Sequence, residues 1–173
     1  PLRGLRAAVD CANGAAAELA PALFRACGID ADFFHNVPSG RNINEHCGAL
    51  HPEVIAGVVS EKPGFDLGIT FDGDADRALF CDAQGRIVNG DAVLLLKARE
   101  MQARGTLSND TVVATTMSNM GLEIALRRSG MRMLRAPVGD KYVLEEMQKT
   151  GATLGGEQSG HIIFRDGDST TGD

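Results

Sequence analysis

The strongest constraint on this chain's fold is a six-residue link, Asp72-Gly73-Asp74-Ala75-Asp76-Arg77, between two apolar strand-like runs, 65–71 and 78–82. A parallel crossover needs about a dozen residues or more, so two strands joined this tightly pair antiparallel or part company. Upstream, the pattern alternates. Leu5–Val9 reads as a strand and 15–27 as a helix with Leu19, Leu23 and Ala26 at helical spacing and Gly28 as its stop. Pro21 inside that helix predicts a kink or two short pieces. Ala31–His35 is a strand, and Pro52 opens a helix carrying Val54, Ile55, Val58 and Val59. A β-α-β-α-β run favours parallel pairing with right-handed crossovers. The expectation is a mixed sheet with helices on both faces.

The same order recurs downstream. A helix covers 91–104, a strand 111–115, a helix capped by Ser118 follows, then a strand at 131–136 and a helix at 140–150. Strands at 152–155 and 161–164 close the run around a five-residue turn. The chain therefore reads as α/β: two successive three-layer domains, 1–89 and 90–173, each a mixed four-stranded sheet in the order β-α-β-α-β-loop-β. The two most unusual loops, 72–77 and 156–160, fall at the same place in each half.

Composition narrows the functions. Seventeen Lys and Arg against 23 Asp and Glu give a net charge of −6, which argues against a nucleic-acid binder. No run approaches the roughly 18 apolar residues of a membrane helix, and no basic stretch leads into an apolar signal core. Twenty-one glycines are well above the usual share and suggest tight loops where backbone meets a ligand. Four cysteines with no C-x-x-C pair read as a cytoplasmic chain without a zinc ribbon. His46, Cys47 and His51 can be imagined around a metal, but a polar loop with a small buried Cys is the favoured reading.

The acidic link carries the sharpest chemistry. Asp72, Asp74 and Asp76 at i, i+2 and i+4, with small residues between, can converge as three hard oxygen donors suited to Mg²⁺ or Ca²⁺. Arg77 is placed to offset their charge or grip a phosphate. An EF-hand fails, because Arg77 and Ala83 stand where Gly and Glu are needed. A solvated acidic turn is the plain alternative. The second signal is Gly155-Gly156-Glu157-Gln158-Ser159-Gly160-His161, where Glu157, Ser159 and His161 can hydrogen-bond sugar hydroxyls; a glycine-rich hairpin is the plain alternative. As an exposed loop carboxylate, Glu157 is expected to support little packing. Val138-Gly139-Asp140-Lys141 opens a helix, so Lys141 and the helix N-terminus can meet an anion, or Asp140 is simply an N-cap.

Together these residues resemble the α-D-phosphohexomutase family. The link matches its Mg-binding loop, with Ala75 where many members carry Gly, and 156–161 matches its sugar-binding loop. Gly40–Asn44, Cys47-Gly48, Ser118–Gly121, Val138–Val143 and Thr170–Asp173 are similar to the members that act on glucosamine phosphates. The resemblance implies four domains, of which this chain resembles the second and most of the third. The first, bearing a phosphoserine, and the fourth, phosphate-binding domain are expected as partners outside it, and the parent as a homodimer. It implies Mg²⁺, a hexosamine phosphate substrate, and interconversion of glucosamine 6-phosphate and glucosamine 1-phosphate through a 1,6-bisphosphate. By that resemblance Asp72, Asp74 and Asp76 bind metal, Arg77 is catalytic, and Glu157, Ser159, His161 and Lys141 bind substrate. The competing readings are a mannose- or glucose-phosphate mutase of the same family, a phosphatase, and a non-catalytic sugar-phosphate-binding fragment.

Overall fold

A computed structural model describes residues 2–166 and 169–172. The chain divides into two compact units, Pro1–Val88 and Asn89–Asp173.

In the first unit the elements are β1 (Arg6–Asp10), α1 (Ala16–Cys27), β2 (Asp30–Phe34), α2 (Pro52–Glu61), β3 (Leu67–Phe71), β4 (Ala78–Asp82) and β5 (Ile87–Val88). The sheet order is β2-β1-β3-β4-β5. β1 pairs parallel with β2 and β3, and the six-residue link turns β4 antiparallel to β3, with Phe71 opposite Ala78. Strand alternation splits the core. Ala7 and Val9 pack with Ala16, Ala20 and Phe24 of α1, while Ala8 packs with Ile55, Ala56 and Val59 of α2. Fully burying a side chain such as Ile55 is worth about 1.5–3 kcal/mol.

The second unit repeats the plan with α3 (Gly90–Ala103), β6 (Thr111–Thr115), α4 (Met120–Arg128), β7 (Arg132–Ala136), α5 (Asp140–Thr150), β8 (Leu154–Gly156), β9 (Ile162–Asp166) and β10 (Ser169–Thr171). Its order is β10-β9-β8-β6-β7, with β6 parallel to β7 and β8, and β9 antiparallel to β8 and β10. Val112 and Ala114 face α3 and α4, and Val113 faces α5.

Four expectations are corrected. Each sheet has five strands rather than four: β5 and β10 are two and three residues long, too short to leave a period in the sequence. Helix α1 runs unbroken through Pro21, which removes a single N–H from a helix clamped along its whole inner face. That inner face is Ala16, Ala20 and Phe24, leaving Leu19 68% and Leu23 56% exposed. Small residues let the helix lie close on the sheet, where Phe24 meets Phe33 edge-to-face at 5.9 Å. Asn119, not Ser118, caps α4: its side chain accepts from the Gly121 N–H at 2.7 Å, while Asp91 Oδ2 accepts its own N–H at 2.7 Å.

No described helix is long and apolar enough to cross a membrane. All four cysteines are free. Burial pushes the Cys81 thiol above its ordinary value of 9.0, and Asp82 adds to this against a hydrogen bond with the Gly68 backbone. The folded chain therefore keeps this proton where the unfolded chain has lost it, and stability falls as pH climbs past that value. Urea midpoints measured upward from pH 8 should decline less in Cys81→Ala than in the parent sequence; equal slopes would remove this thiol as the cause.

Candidate functional site

β3 lies between β1 and β4, so its carboxyl end opens where crossover strands present ligands in open α/β sheets. The chain leaves β3 through Asp72, whose side chain is buried. Its Oδ1 accepts the Arg77 N–H at 3.2 Å, and its Oδ2 lies 2.6 Å from both Nε and Nη2 of Arg77. The Asp72 carbonyl accepts the Ala75 N–H at 3.2 Å, which curls the link. Ala75 sits at φ 64, a left-handed conformation costing a non-glycine residue about 1 kcal/mol.

This curl gathers what the spacing predicted. Asp72, Asp74 and Asp76 each offer a carboxylate oxygen within 4.8 Å of the others, Asp72 buried and the other two exposed. Burial alone pushes the Asp72 carboxyl up. The Arg77 N–H, a hydrogen bond with Asp76 and the Arg77 guanidinium outweigh it and hold it below the ordinary carboxylate value. Asp72 is therefore ionised at neutral pH. Three carboxylates with two open to solvent fit a hard, partly hydrated divalent cation. Arg77 also lies 3.5 Å from Asp76 Oδ1, so of its two expected roles the geometry supports charge offset.

In the second unit the corresponding loop joins β8 to β9. Glu157 N–H donates to the His161 carbonyl at 2.8 Å and Gly160 N–H to the Glu157 carbonyl at 3.1 Å. The loop sits against the start of α3, where a Cβ on Gly90 would come within 1.9 Å of the Glu157 carbonyl oxygen. Glu157 is half-buried, and its Oε1 accepts the Gly139 N–H at 2.9 Å at the entry to α5. Gly139 holds φ 125, open only to glycine. Ser159 Oγ donates to Glu157 Oε2 at 3.5 Å. The structure thus brings Glu157 and Ser159 together. Lys141 lies in the first turn of α5 with its ammonium 4.0 Å from Glu145, and His161 is buried at 3% exposure.

The sequence reading missed two features. The Gly139 N–H, a backbone group with no side-chain signature, anchors Glu157. Asp10 is a fully buried carboxylate at the end of β1; a lone acid closing an apolar strand just before Asn13-Gly14 was the available signal.

Two α/β/α units of one topology, each with a short polar loop from its third strand to its fourth, define a class of tandem-domain proteins. Residues 1–85 match the phosphoglucomutase/phosphomannomutase α/β/α domain II and residues 89–173 match domain III, and the chain belongs to that family. It is 70% identical over 169 residues to the phosphoglucosamine mutase of Koribacter versatilis (strain Ellin345), covering 97% of this chain and 36% of that protein. It is 57% identical over 173 residues to that of Solibacter usitatus (strain Ellin6076), covering 99% and 38%. It spans little more than a third of the length of these curated relatives. Among solved structures it resembles a phosphoglucomutase/phosphomannomutase family protein from Burkholderia thailandensis at TM-score 0.83 and 30% identity, over 94% of this chain and 35% of that one. The fold also matches Aspergillus fumigatus N-acetylphosphoglucosamine mutase, solved with GlcNAc-6P and magnesium, at TM-score 0.75 and 21% identity, over 96% and 37%.

Proposed function

We propose that this chain is the metal- and sugar-binding middle of a mutase that interconverts glucosamine 6-phosphate and glucosamine 1-phosphate. The observation that carries the reading is 70% identity to a phosphoglucosamine mutase, joined to a turn on which three aspartate carboxylates converge. A phosphoserine outside this chain passes its phosphoryl group to O1, and the resulting 1,6-bisphosphate returns its 6-phosphoryl group to the serine. Mg²⁺, when held by Asp72, Asp74 and Asp76, neutralises charge on the transferring group. Arg77 positions Asp72 and balances the surplus negative charge. Glu157 and Ser159 hold sugar hydroxyls in either orientation, with Lys141 near the anionic end and His161 supporting the loop. The product would feed cell-wall precursor synthesis in the cytoplasm.

A coupled assay on the full-length parent tests this. Turnover of glucosamine phosphates, lost with a chelator and restored by Mg²⁺, is expected, and this chain alone should show none. Preference for mannose or glucose phosphates would favour the sister mutases; Mg-dependent phosphate release by this chain alone would favour a phosphatase.

Glu157 supplies a separate check. Glu157→Ala in the parent should lower kcat/KM by about 10- to 100-fold, some 1.4–2.7 kcal/mol, through lost orientation. Contrary to the reading of an idle loop carboxylate, it should also destabilise the second unit by about 0.5–1.5 kcal/mol, because the Gly139 N–H loses its acceptor. Glu157→Gln keeps an acceptor and should recover stability but not kinetics. Metal affinity should stay constant in both; weakened metal binding with normal sugar kinetics would reverse the assignment of the two loops.

A further inference from the structure

Asp10 ends β1 opposite Thr70 of β3, and its side chain keeps different company from the three-aspartate turn. Its Oδ1 accepts the Ala12 N–H at 2.9 Å and its Oδ2 the Gly48 N–H at 3.1 Å. His35, one residue past β2, places Nδ1 3.1 Å from Oδ2. Cys47, fully buried, ends the long loop after β2, and its sulfur lies 3.9 Å from Asn13 Nδ2. One ligand atom from each of Asp10, His35 and Cys47 lies within 4.8 Å of the others. The sequence had grouped Cys47 with His46 and His51. The structure pairs those two rings with each other at 6.0 Å, places His51 Nδ1 3.0 Å from Glu53, and puts the thiol with Asp10 and His35.

We propose that Asp10, His35 and Cys47 form a second metal site that takes Zn²⁺, independent of the mutase reading and of the Asp72 turn. A thiolate, an imidazole and a carboxylate make a borderline-soft donor set, whereas the Asp72 turn offers hard oxygens only. Thiolate and carboxylate together cancel the ion's charge, so a buried Zn²⁺ leaves no uncompensated charge. Tetrahedral zinc spaces its ligand atoms about 3.3–3.8 Å apart, so any separation in this site contracts by at most about 1 Å on loading. His35, 36% exposed, links the cluster to solvent and gives the ion a route in. As the Zn–S bond forms, the Cys47 thiol proton and any proton on His35 Nδ1 pass to solvent, and Nδ1 turns from Asp10 to the metal. The two backbone N–H groups on Asp10 hold its carboxylate in place. His35 and Cys47 bracket the loop that carries Asn44, whose side chain packs within 2.8 Å of where a Cβ on Gly73 would sit. Zinc would therefore brace the wall of the three-aspartate turn.

The test titrates this 173-residue chain with Co²⁺, a spectroscopic stand-in for Zn²⁺, with excess Mg²⁺ present to occupy hard-oxygen sites. A thiolate-to-cobalt charge-transfer band with tetrahedral d–d bands should grow to one equivalent and vanish on adding Zn²⁺. Cys47→Ser should abolish the charge-transfer band and weaken Zn²⁺ binding, measured against a chromophoric chelator, by about tenfold or more. His35→Asn, which tolerates the left-handed backbone at φ 46, should weaken it similarly. Asp74→Asn should leave both readouts unchanged. Circular dichroism establishes that each variant is folded. A folded parent chain with no thiolate band, a band that survives in Cys47→Ser, or equal Zn²⁺ affinity in both variants would overturn the site.

Discussion

In the full-length parent, Asp74→Asn should lower turnover of glucosamine phosphate by at least about a hundredfold, some 2.7 kcal/mol of barrier, while leaving the fold intact. The two halves of that expectation come from different observations. Asp74 is exposed at the tip of the turn and supports no packing, so its replacement should leave the melting temperature nearly unchanged. It is also the middle of three carboxylates converging within 4.8 Å, and a neutral amide there removes one of the charges available to a divalent cation. Mg²⁺ or Mn²⁺ titration of this chain reads the same defect without turnover: affinity should fall in Asp74→Asn and Asp76→Asn alike. Near-normal turnover in Asp74→Asn would remove metal chelation by this turn from the mechanism.

Gly14→Ala should be the most damaging small substitution in the first unit. A Cβ there would lie 2.2 Å from the Gly73 carbonyl oxygen, and 2.8 Å from the carbonyl carbon. Both obstacles are backbone, so no side chain can swing aside. Retreat of Gly73 would stretch the 2.9 Å hydrogen bond from the Ala15 N–H to that same oxygen. Overpacking of this kind costs about 1–3 kcal/mol, and the weakened hydrogen bond adds to it, so a loss of about 2–4 kcal/mol is expected. For a unit of this size that lowers the melting temperature by roughly 8–32 °C. Because Gly73 stands between two of the three converging aspartates, the proposed Mg²⁺ affinity should fall as well. Wild-type stability with wild-type affinity would mean that the segment leading into α1 does not buttress the acidic turn.

How much of the site was legible follows from the range of the interactions. The three aspartates could be read directly, since i, i+2, i+4 spacing in a tight turn needs no distant partner to converge. The destination of Arg77 could not: the sequence left it free to hold a phosphate, and only the buried carboxylate of Asp72 shows where its guanidinium goes. Glu157 was legible as a polar group among glycines, but its anchor is a backbone N–H 18 residues away.

The sequence by itself determined the alternation of strands and helices, the antiparallel return after β3 and the duplication of that plan. Each of these rests on local periodicity or on the reach of a short link. Tertiary structure alone decided which face of α1 is buried. Leu19 and Leu23 hold the more apolar stripe, yet Ala16, Ala20 and Phe24 face the alanine-rich β1, because close approach of helix to sheet buries more surface than two leucines held at a distance. It alone also brought Asp10, His35 and Cys47 within reach of one another. Residues 25 and 12 positions apart share no period, and their meeting depends on β1 and β2 lying side by side with the long loop folded back over their ends.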